Sequence, residues 1–294
     1  MSWNLRGTTA QEGDLAELVG LKHKHFIVTL KAGGELHTHR GVLKHDNLIG
    51  KLWGSQVFSH NGHPFFLLQP ALADLLRSIP RNTQIMYPKE IGFILVTMGI
   101  GEGMQILEAG TGSGALSAAF AYALGKEGHL TTYEVRPEMQ QMAIKNLTRL
   151  GLTDRVTFKT GDIGDGFSET GVDAVFLDVP NPYDYMLKVK AALKMGGFFG
   201  CILPTTNQVA IELRELRRCG FAFIEVCEII MRYFKPEPDR LRPTDRMVAH
   251  TGYLIFARPV ILAEENPASS ELLVEAGIPA EKLTDETPEG QEVD

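Results

Sequence analysis

Cysteine is scarce in this chain of 294 residues, which contains three. Cys201, Cys219 and Cys227 are odd in number and lack Cys-x-x-Cys spacing, which argues against a disulfide framework or a zinc site. Long hydrophobic runs are also absent, because no segment reaches the ~18 apolar residues of a membrane span and residues 1–14 lack the apolar core of a signal peptide. These absences predict a cytoplasmic protein with reduced cysteines and no membrane partner.

Negative charge is concentrated at one end of the chain. The net charge is −7, but residues 263–294 contain ten acidic residues and one lysine, a net of −9, which leaves +2 for the first 262 residues. The body of the chain is therefore compatible with a nucleic-acid partner. The tail is rich in glutamate and poor in aromatics, which predicts disorder with at most a short helix over 270–276.

A glycine-rich turn is the most informative local pattern. The segment 105–116, Gln-Ile-Leu-Glu-Ala-Gly-Thr-Gly-Ser-Gly-Ala-Leu, predicts a strand that breaks into a turn and restarts as a helix. The turn lacks both the Gly-x-Gly-x-x-Gly of dinucleotide enzymes and the Gly-Lys-Ser/Thr of phosphate loops. It therefore predicts a nucleotide cradle for which phosphate is not the expected ligand.

Acidic residues follow the next predicted strands. Glu134 comes about 20 residues after the glycine turn, where a carboxylate can accept hydrogen bonds from both ribose hydroxyls. Asp162 and Asp178 follow the strands predicted over 156–159 and 173–177. Ligands bind at the carboxyl ends of strands in open α/β sheets, so we expect these groups at one shared edge.

The chain divides into three predicted segments. Residues 1–70 contain short apolar stretches such as 26–30 and 64–68 between turns, which predicts a small β-rich N-terminal domain. Strands and helices alternate over 71–262, which predicts an α/β domain with a parallel sheet, and 263–294 is the acidic tail. Predicted helices cover 71–77, 88–98, 115–124, 137–150, 185–193 and 208–218. Two last strands, 223–233 and 248–257, are joined by a nonhelical segment, which predicts antiparallel pairing.

The glycine turn, Glu134, Asp162 and Asp178 together resemble the class I S-adenosylmethionine-dependent methyltransferases. That resemblance implies a Rossmann-like seven-stranded sheet with an antiparallel last strand, and S-adenosylmethionine as a cofactor without diphosphate. It implies that residues 110–114 line the methionine part, that Glu134 holds the ribose and that Asp162 faces the adenine amino group. The implied cofactor residues are Glu108, Gly110, Thr111, Gly112, Ser113, Gly114, Leu116, Glu134, Asp162 and Asp178.

Three further motifs point to the methyl acceptor: Asp-Val-Pro-Asn-Pro-Tyr at 178–183, Met-Tyr-Pro-Lys-Glu at 86–90 and Ala-His-Thr-Gly-Tyr-Leu at 249–254. With the glycine turn they resemble the tRNA (adenine-N1)-methyltransferase family that modifies adenine 58, from His37 to about Phe256. Tyr183 stands where that family usually has Trp. The 178–183 loop is also similar to loops of enzymes that methylate exocyclic amines, but Val179 and Asn181 interrupt the proline pair. The family resemblance implies a tRNA partner and a homotetramer.

The acceptor defines the chemistry that we expect. Adenine N1 attacks through a free lone pair and the product ring is cationic, so a carboxylate beside the exocyclic amine would orient the base and stabilise developing charge. Asp178 is the candidate catalytic residue. Tyr87 and Tyr183 are candidates for stacking on the base, Arg40, Arg240 and Arg242 for contacts with RNA phosphates, and His250 for contact with the acceptor.

Histidines at positions 23, 25, 37, 39 and 45 suggest a metal site, but no carboxylate or cysteine is spaced with them, so we predict none. Basic residues interleave with these histidines, which suits a phosphate-facing surface. Two other interpretations stay open. The chain could be another RNA or small-molecule methyltransferase, or a noncatalytic RNA-binding subunit.

Overall fold

The computed structural model of the chain describes residues 7–21, 24–81 and 86–261. The acidic tail with its predicted helix over 270–276 lies outside the described residues, as does His23. No helix within the described ranges combines the length and the apolar character that a membrane span requires.

Six short strands form the N-terminal part. Four of them pair antiparallel in the order β2-β1-β6-β5, while β3 and β4 form a separate hairpin. Leu18, Phe65 and Leu67 are buried between these elements, and the alternation of buried and exposed residues along β6 matches the period of a strand. The strands are β1 Leu15–Gly20, β2 Lys24–Thr29, β3 Glu35–Thr38, β4 Gly41–Lys44, β5 Gln56–Phe58 and β6 Pro64–Leu68.

A seven-stranded sheet in the order β12-β15-β11-β10-β7-β8-β9 forms the centre of the molecule. Strand β15 runs antiparallel to both of its neighbours, whereas β7, β8, β9, β10 and β11 pair parallel. This topology confirms the predicted class I methyltransferase sheet. The strands are β7 Gln105–Ala109, β8 His129–Glu134, β9 Val156–Thr160, β10 Val172–Leu177, β11 Leu193–Leu203, β12 Phe221–Cys227, and β15 Tyr253–Pro259, with the short pair β13 Phe234–Lys235 and β14 Arg242–Pro243 between the last two.

Helices cover both faces of this sheet. Successive residues of β7 separate the two layers, because Ile106 packs with one apolar core and Leu107 with the other. The first core contains buried residues of the four helices α1–α4, and the second contains those of α5 and α6. The helices are α1 Leu72–Ser78, α2 Pro88–Thr97, α3 Ala115–Ala123, α4 Pro137–Leu150, α5 Met186–Ala192 and α6 Thr206–Arg218.

Three predictions about strands were wrong or incomplete. Strand β12 ends at Cys227 and not at 233. Beyond it the chain leaves the sheet, where the Ile229 carbonyl accepts a 2.5 Å hydrogen bond from Lys89 Nζ. Strand β15 begins at Tyr253 and not at 248. Strand β11 was not among the segments that we identified, because Gly196 and Gly197 interrupt its apolar pattern.

Candidate active site

Two strands meet closely where the glycine turn begins. Gly110 follows β7 with a φ of 91°, and a Cβ atom on it would clash with the carbonyl oxygen of Asp178, the residue that follows β10. The Asp178 amide in turn donates a 2.8 Å hydrogen bond to the Ala109 carbonyl. Glycine is therefore required here for steric reasons, and the close approach places Asp178 beside the turn.

The third glycine of the turn allows helix packing. Gly114 is the N-cap of α3 in the left-handed conformation, with a φ of 83°. A Cβ atom here would lie 2.8 Å from Leu147 Cδ1 and 3.1 Å from the Ala143 Cβ, both on α4. The turn therefore combines a positive φ with a close helix contact, which L side chains cannot do without strain.

A buried polar network supports the turn from below. The Glu108 carboxylate is 1% exposed and accepts hydrogen bonds from Ser117 Oγ at 2.5 Å and Thr132 Oγ1 at 2.7 Å. Thr111 Oγ1 lies 2.6 Å from Thr132 Oγ1, which extends the network into the turn. Burial raises the pKa of Glu108 to about 7, although these two hydroxyl groups favour its ionised form.

Glu134 at the end of β8 fixes the turn from the side. Its Oε2 accepts a 2.9 Å hydrogen bond from the Gly112 amide, and its Oε1 lies 3.0 Å from Arg136 Nε. Burial alone would raise the pKa of this carboxyl, but the hydrogen bonds from Arg136 and Gly112 outweigh burial and hold the pKa below its ordinary value. Glu134 is therefore a carboxylate at neutral pH.

A cavity of about 600 Å³ opens at the carboxyl ends of the central strands. Gly110, Glu134 and Asp178 line it, as predicted for residues at this edge of the sheet. The other lining residues are Ala109, Tyr133, Val135, Arg136, Gly161, Ile163, Val179, Pro180, Ile202, Pro204 and Gln208.

Other predicted cofactor residues lie outside the wall of this cavity. Glu108 and Thr111 belong to the network below, and Gly112, Ser113, Gly114 and Leu116 are likewise not part of the lining. Asp162 is exposed, and its carboxylate accepts a 2.8 Å hydrogen bond from the Gly164 amide. Its neighbours Gly161 and Ile163 line the cavity instead.

Sequence reasoning missed Arg136 and the cavity residues at and after the end of β11. The spacing Glu-x-Arg at a strand end could have indicated Arg136, because residues i and i+2 of an extended chain lie on the same face. Ile202, Pro204 and Gln208 could not be found, since the strand that places them was not identified.

A second cavity of about 230 Å³ adjoins the first. Asp178, Ile202 and Pro204 line both, and the second is completed by Met86, Tyr87, Glu90 and Thr251. Asp178 is exposed to the space of the two cavities, but its carboxyl group lies deep among protein atoms. The resulting desolvation, together with repulsion from Glu134, raises the pKa of the Asp178 carboxyl to about 6. A carboxyl group thus stands at the junction of two cavities.

The predicted substrate residues lie in separate parts of the structure, and Tyr87 is the one in a cavity wall. Tyr87 is half-buried in the wall of the second cavity, whereas half-buried Tyr183 belongs to the turn Pro182–Tyr185 and lines neither cavity. Arg240 and Arg242 are exposed on the segment between β12 and β15. Arg40 lies in the turn between β3 and β4. The structure does not bring these arginines to the cavity walls.

His250 is held close to the second cavity. Its Nδ1 lies 2.7 Å from Glu228 Oε1 and its Nε2 lies 2.9 Å from the carbonyl oxygen of Pro204, a cavity residue. The Pro204 carbonyl and then the Glu228 carboxylate raise the pKa of His250. Because both partners only accept hydrogen bonds, this arrangement favours the charged imidazolium.

Histidines of the N-terminal part have protein partners. His25 Nδ1 lies 2.7 Å from Glu17 Oε1, and His45 Nδ1 accepts a 3.1 Å hydrogen bond from the Lys31 amide. Within the described ranges no group of His, Cys, Asp and Glu side chains is arranged to hold a metal ion.

Comparison with known proteins identifies the family. The profile described as "tRNA methyltransferase complex GCD14 subunit" matches residues 65–242, and a TrmI-like N-terminal profile matches residues 10–57. The chain belongs to this tRNA methyltransferase family.

Two family relatives support the assignment. The TrmI protein of Methanocaldococcus jannaschii, named as a tRNA (adenine(57)-N(1)/adenine(58)-N(1))-methyltransferase, is 36% identical over 70% of this chain and 82% of its own length. The TrmI protein of Thermus thermophilus, named as a tRNA (adenine(58)-N(1))-methyltransferase, is 30% identical over 81% of this chain and 93% of its own length.

Solved structures agree with this family and with the fold. The tRNA (m1A58) methyltransferase TrmI from Aquifex aeolicus is 35% identical, with a TM-score of 0.74 over 86% of this chain and 99% of that one. A protein from Thermotoga maritima described as a SAM-dependent O-methyltransferase is 43% identical, with a TM-score of 0.81 over 88% of this chain and 97% of that one. The two descriptions name different acceptor atoms, so the acceptor of this chain has to be argued from its own site.

Proposed function

We propose that this protein transfers a methyl group from S-adenosylmethionine to N1 of adenine 58 in tRNA. The observation that carries the proposal is the junction of the two cavities at Asp178. Methyl transfer needs a cofactor and an acceptor held side by side, with a group between them that orients the acceptor. Membership of the tRNA methyltransferase family supports the same conclusion.

The larger cavity fits S-adenosylmethionine. Gly110 and Glu134 line it. Glu134 Oε1 accepts hydrogen bonds from the Arg136 amide and Nε, and Oε2 accepts them from the Gly112 amide and Arg136 Nη2, so a ribose hydroxyl would take the place of an Arg136 side-chain hydrogen bond. The bound cofactor would supply a methyl group on a sulfonium centre. Asp162 would have to turn from the Gly164 amide before it could contact the adenine part.

The smaller cavity would take the target base. Tyr87 in its wall offers a ring on which a base can stack. Asp178 accepts a hydrogen bond from the exocyclic amine, which aims N1 at the methyl group and stabilises the positive charge that develops on the ring. Because adenine N1 carries a free lone pair and no proton, the transfer needs no general base.

RNA contact and assembly are further parts of the proposal. Arg40, Arg240 and Arg242 would contact phosphates, whose neutralisation dominates nucleic-acid affinity. A homotetramer is supported by the segment between β12 and β15, which exposes apolar side chains of the kind that subunit interfaces cover. These are Ile230 at 61%, Tyr233 at 58%, Leu241 at 68% and Val248 at 51% exposed. The cytoplasmic location stays a prediction.

Three tRNA transcripts test the proposal: the unmodified sequence, one with guanine at position 58 and one with guanine at position 57. We expect labelled methyl groups from S-adenosylmethionine to enter the first and third transcripts and not the second. Equal labelling of all three would contradict a site at adenine 58. Loss of part of the label in the third would assign position 57 as an additional target.

A further inference from the structure

A buried ion pair lies in the first turn of α2, and its glutamate lines the smaller cavity. Lys89 Nζ lies 2.6 Å from Glu90 Oε1, and the two side chains are only 7% and 1% exposed. Thr251, just before β15, accepts a 2.9 Å hydrogen bond from Lys89 Nζ and donates its own hydroxyl to the same Glu90 oxygen. Two donors therefore fix Oε1 of Glu90.

The second oxygen of Glu90 is in a different situation. Oε2 is buried, and among the residues that the structure describes none forms a hydrogen bond with it. An unpaired carboxylate oxygen in a protein interior is costly, because it has lost water without gaining a donor. Glu90 lines the smaller cavity, which makes a donor on a molecule in that cavity the candidate partner for Oε2.

We propose that Glu90 is a second base-recognition residue, whose Oε2 accepts a hydrogen bond from the exocyclic amino group of the target adenine. This inference rests on the proposed function. The amino group has two N–H bonds, so Asp178 and Glu90, which line the same cavity, each take one. Guanine and hypoxanthine carry a carbonyl oxygen at that position, which would face two acceptors and be rejected.

The surroundings of Glu90 make Glu90→Gln a sharp test. Lys89 is a donor without acceptor capacity, and the Thr251 hydroxyl already accepts from Lys89, so both donate toward the Oε1 position. The carboxamide oxygen must therefore occupy the Oε1 position, which leaves the NH₂ group at the Oε2 position. The substitution replaces an acceptor with a donor where the adenine amino group would lie.

The experiment measures kcat/KM of the full-length enzyme on two tRNAs, one with adenine and one with unsubstituted purine at position 58. Purine keeps the N1 lone pair and lacks the amino group. We expect Glu90→Gln to lower kcat/KM about 10- to 100-fold on adenine tRNA and less than about threefold on purine tRNA. Equal losses on both tRNAs would show a merely structural role and overturn the inference. S-adenosylmethionine affinity, measured by calorimetry, should be unchanged because Glu90 does not line the larger cavity.

A second variant keeps the inference testable if Glu90→Gln does not fold. Replacing Lys89 and Glu90 together by Met removes the carboxylate and leaves no unpaired buried charge, an exchange that folded proteins often tolerate. The same selective loss on adenine tRNA supports the inference, and equal losses on the two tRNAs overturn it. Wild-type enzyme that methylates neither tRNA would overturn the proposed function and this inference with it, whereas equal losses in an active enzyme overturn the inference alone.

Discussion

The Gly112 amide donates a 2.9 Å hydrogen bond to Glu134 Oε2 and thereby ties the glycine turn to the end of the neighbouring strand β8. One carboxylate thus does two things. It holds the loop that the cofactor would approach, and it forms part of the wall of the larger cavity.

Replacing Glu134 by Ala should therefore weaken S-adenosylmethionine binding by on the order of 1–3 kcal/mol. Calorimetry on the purified protein measures this change. Glu138→Ala, at an exposed position in the first turn of α4, is the matched control and should bind the cofactor normally. Equal affinities in wild type and Glu134→Ala would remove Glu134 from the site.

Asp178 should act on turnover more than on binding. We expect Asp178→Ala and Asp178→Asn to lower the single-turnover rate by about 100-fold or more, because the lost group stabilises charge that develops during transfer. The fold and cofactor affinity should be largely retained. Asp184→Asn, an exposed carboxylate in the following turn, is the control. Wild-type rates in Asp178→Ala would refute the role.

The single-turnover rate should also depend on pH through Asp178. Its pKa of about 6 means that the carboxylate, the form that accepts the amine hydrogen bond and stabilises positive charge, becomes populated as the pH rises through about 6. The rate should rise from pH 5 and level off above pH 7, and Asp178→Asn should lack this rising limb of the pH–rate profile. An identical limb in the variant would assign the titration to another group.

Glu212 on α6 should make the protein less stable at alkaline pH. It is 0% exposed, neither carboxylate oxygen has a hydrogen-bond partner among the described residues, and burial raises its pKa to about 8. The folded state thus keeps, up to about pH 8, a proton that the unfolded state releases near pH 4.5, so stability falls as the pH rises from about 4.5 to about 8 and stays low above that. Glu212→Met should raise stability at pH 9 by on the order of 1–3 kcal/mol and less at pH 5. Denaturant titrations at both pH values check this, and an equal change at both would contradict it.

Affinity for tRNA should fall steeply with salt if phosphate contacts dominate. Filter binding between about 50 and 200 mM salt should show this slope, and charge reversal at Arg240 and Arg242 should reduce both affinity and slope while cofactor binding is unchanged. Binding that is insensitive to salt would argue against the basic residues as the RNA contact.

The sequence predicted the parts of the fold that depend on local pattern. Strand β10 at Val172–Leu177 lies within one residue of the predicted 173–177, and helix α4 at Pro137–Leu150 coincides with its prediction. Strand β10 is a short, nearly continuous apolar run, and α4 is amphipathic with clear ends, Pro137 at its start and Gly151 at its C-cap. Strand β11 was missed because two glycines weaken the same signal.

Contacts between distant segments could not be read from the sequence. The family resemblance implied Glu108 as a cofactor residue, and the structure shows it at an inward-facing position on β7, in the network beneath the glycines. Glu90 and Thr251 are 161 positions apart, and only the sheet order that sets β15 among the central strands brings them together. Local spacing contains no information on such a pair.

Nucleoside analysis of one methylated tRNA tests the proposed reaction most directly. An unmodified tRNA transcript is incubated with the wild-type protein and S-adenosylmethionine, digested to nucleosides and separated by mass spectrometry against 1-methyladenosine, N6-methyladenosine and 2′-O-methyladenosine standards. We expect 1-methyladenosine, located at position 58, and its loss in Asp178→Ala. Methylation at N6 or at a ribose oxygen, or an unmodified tRNA, would contradict transfer to adenine N1.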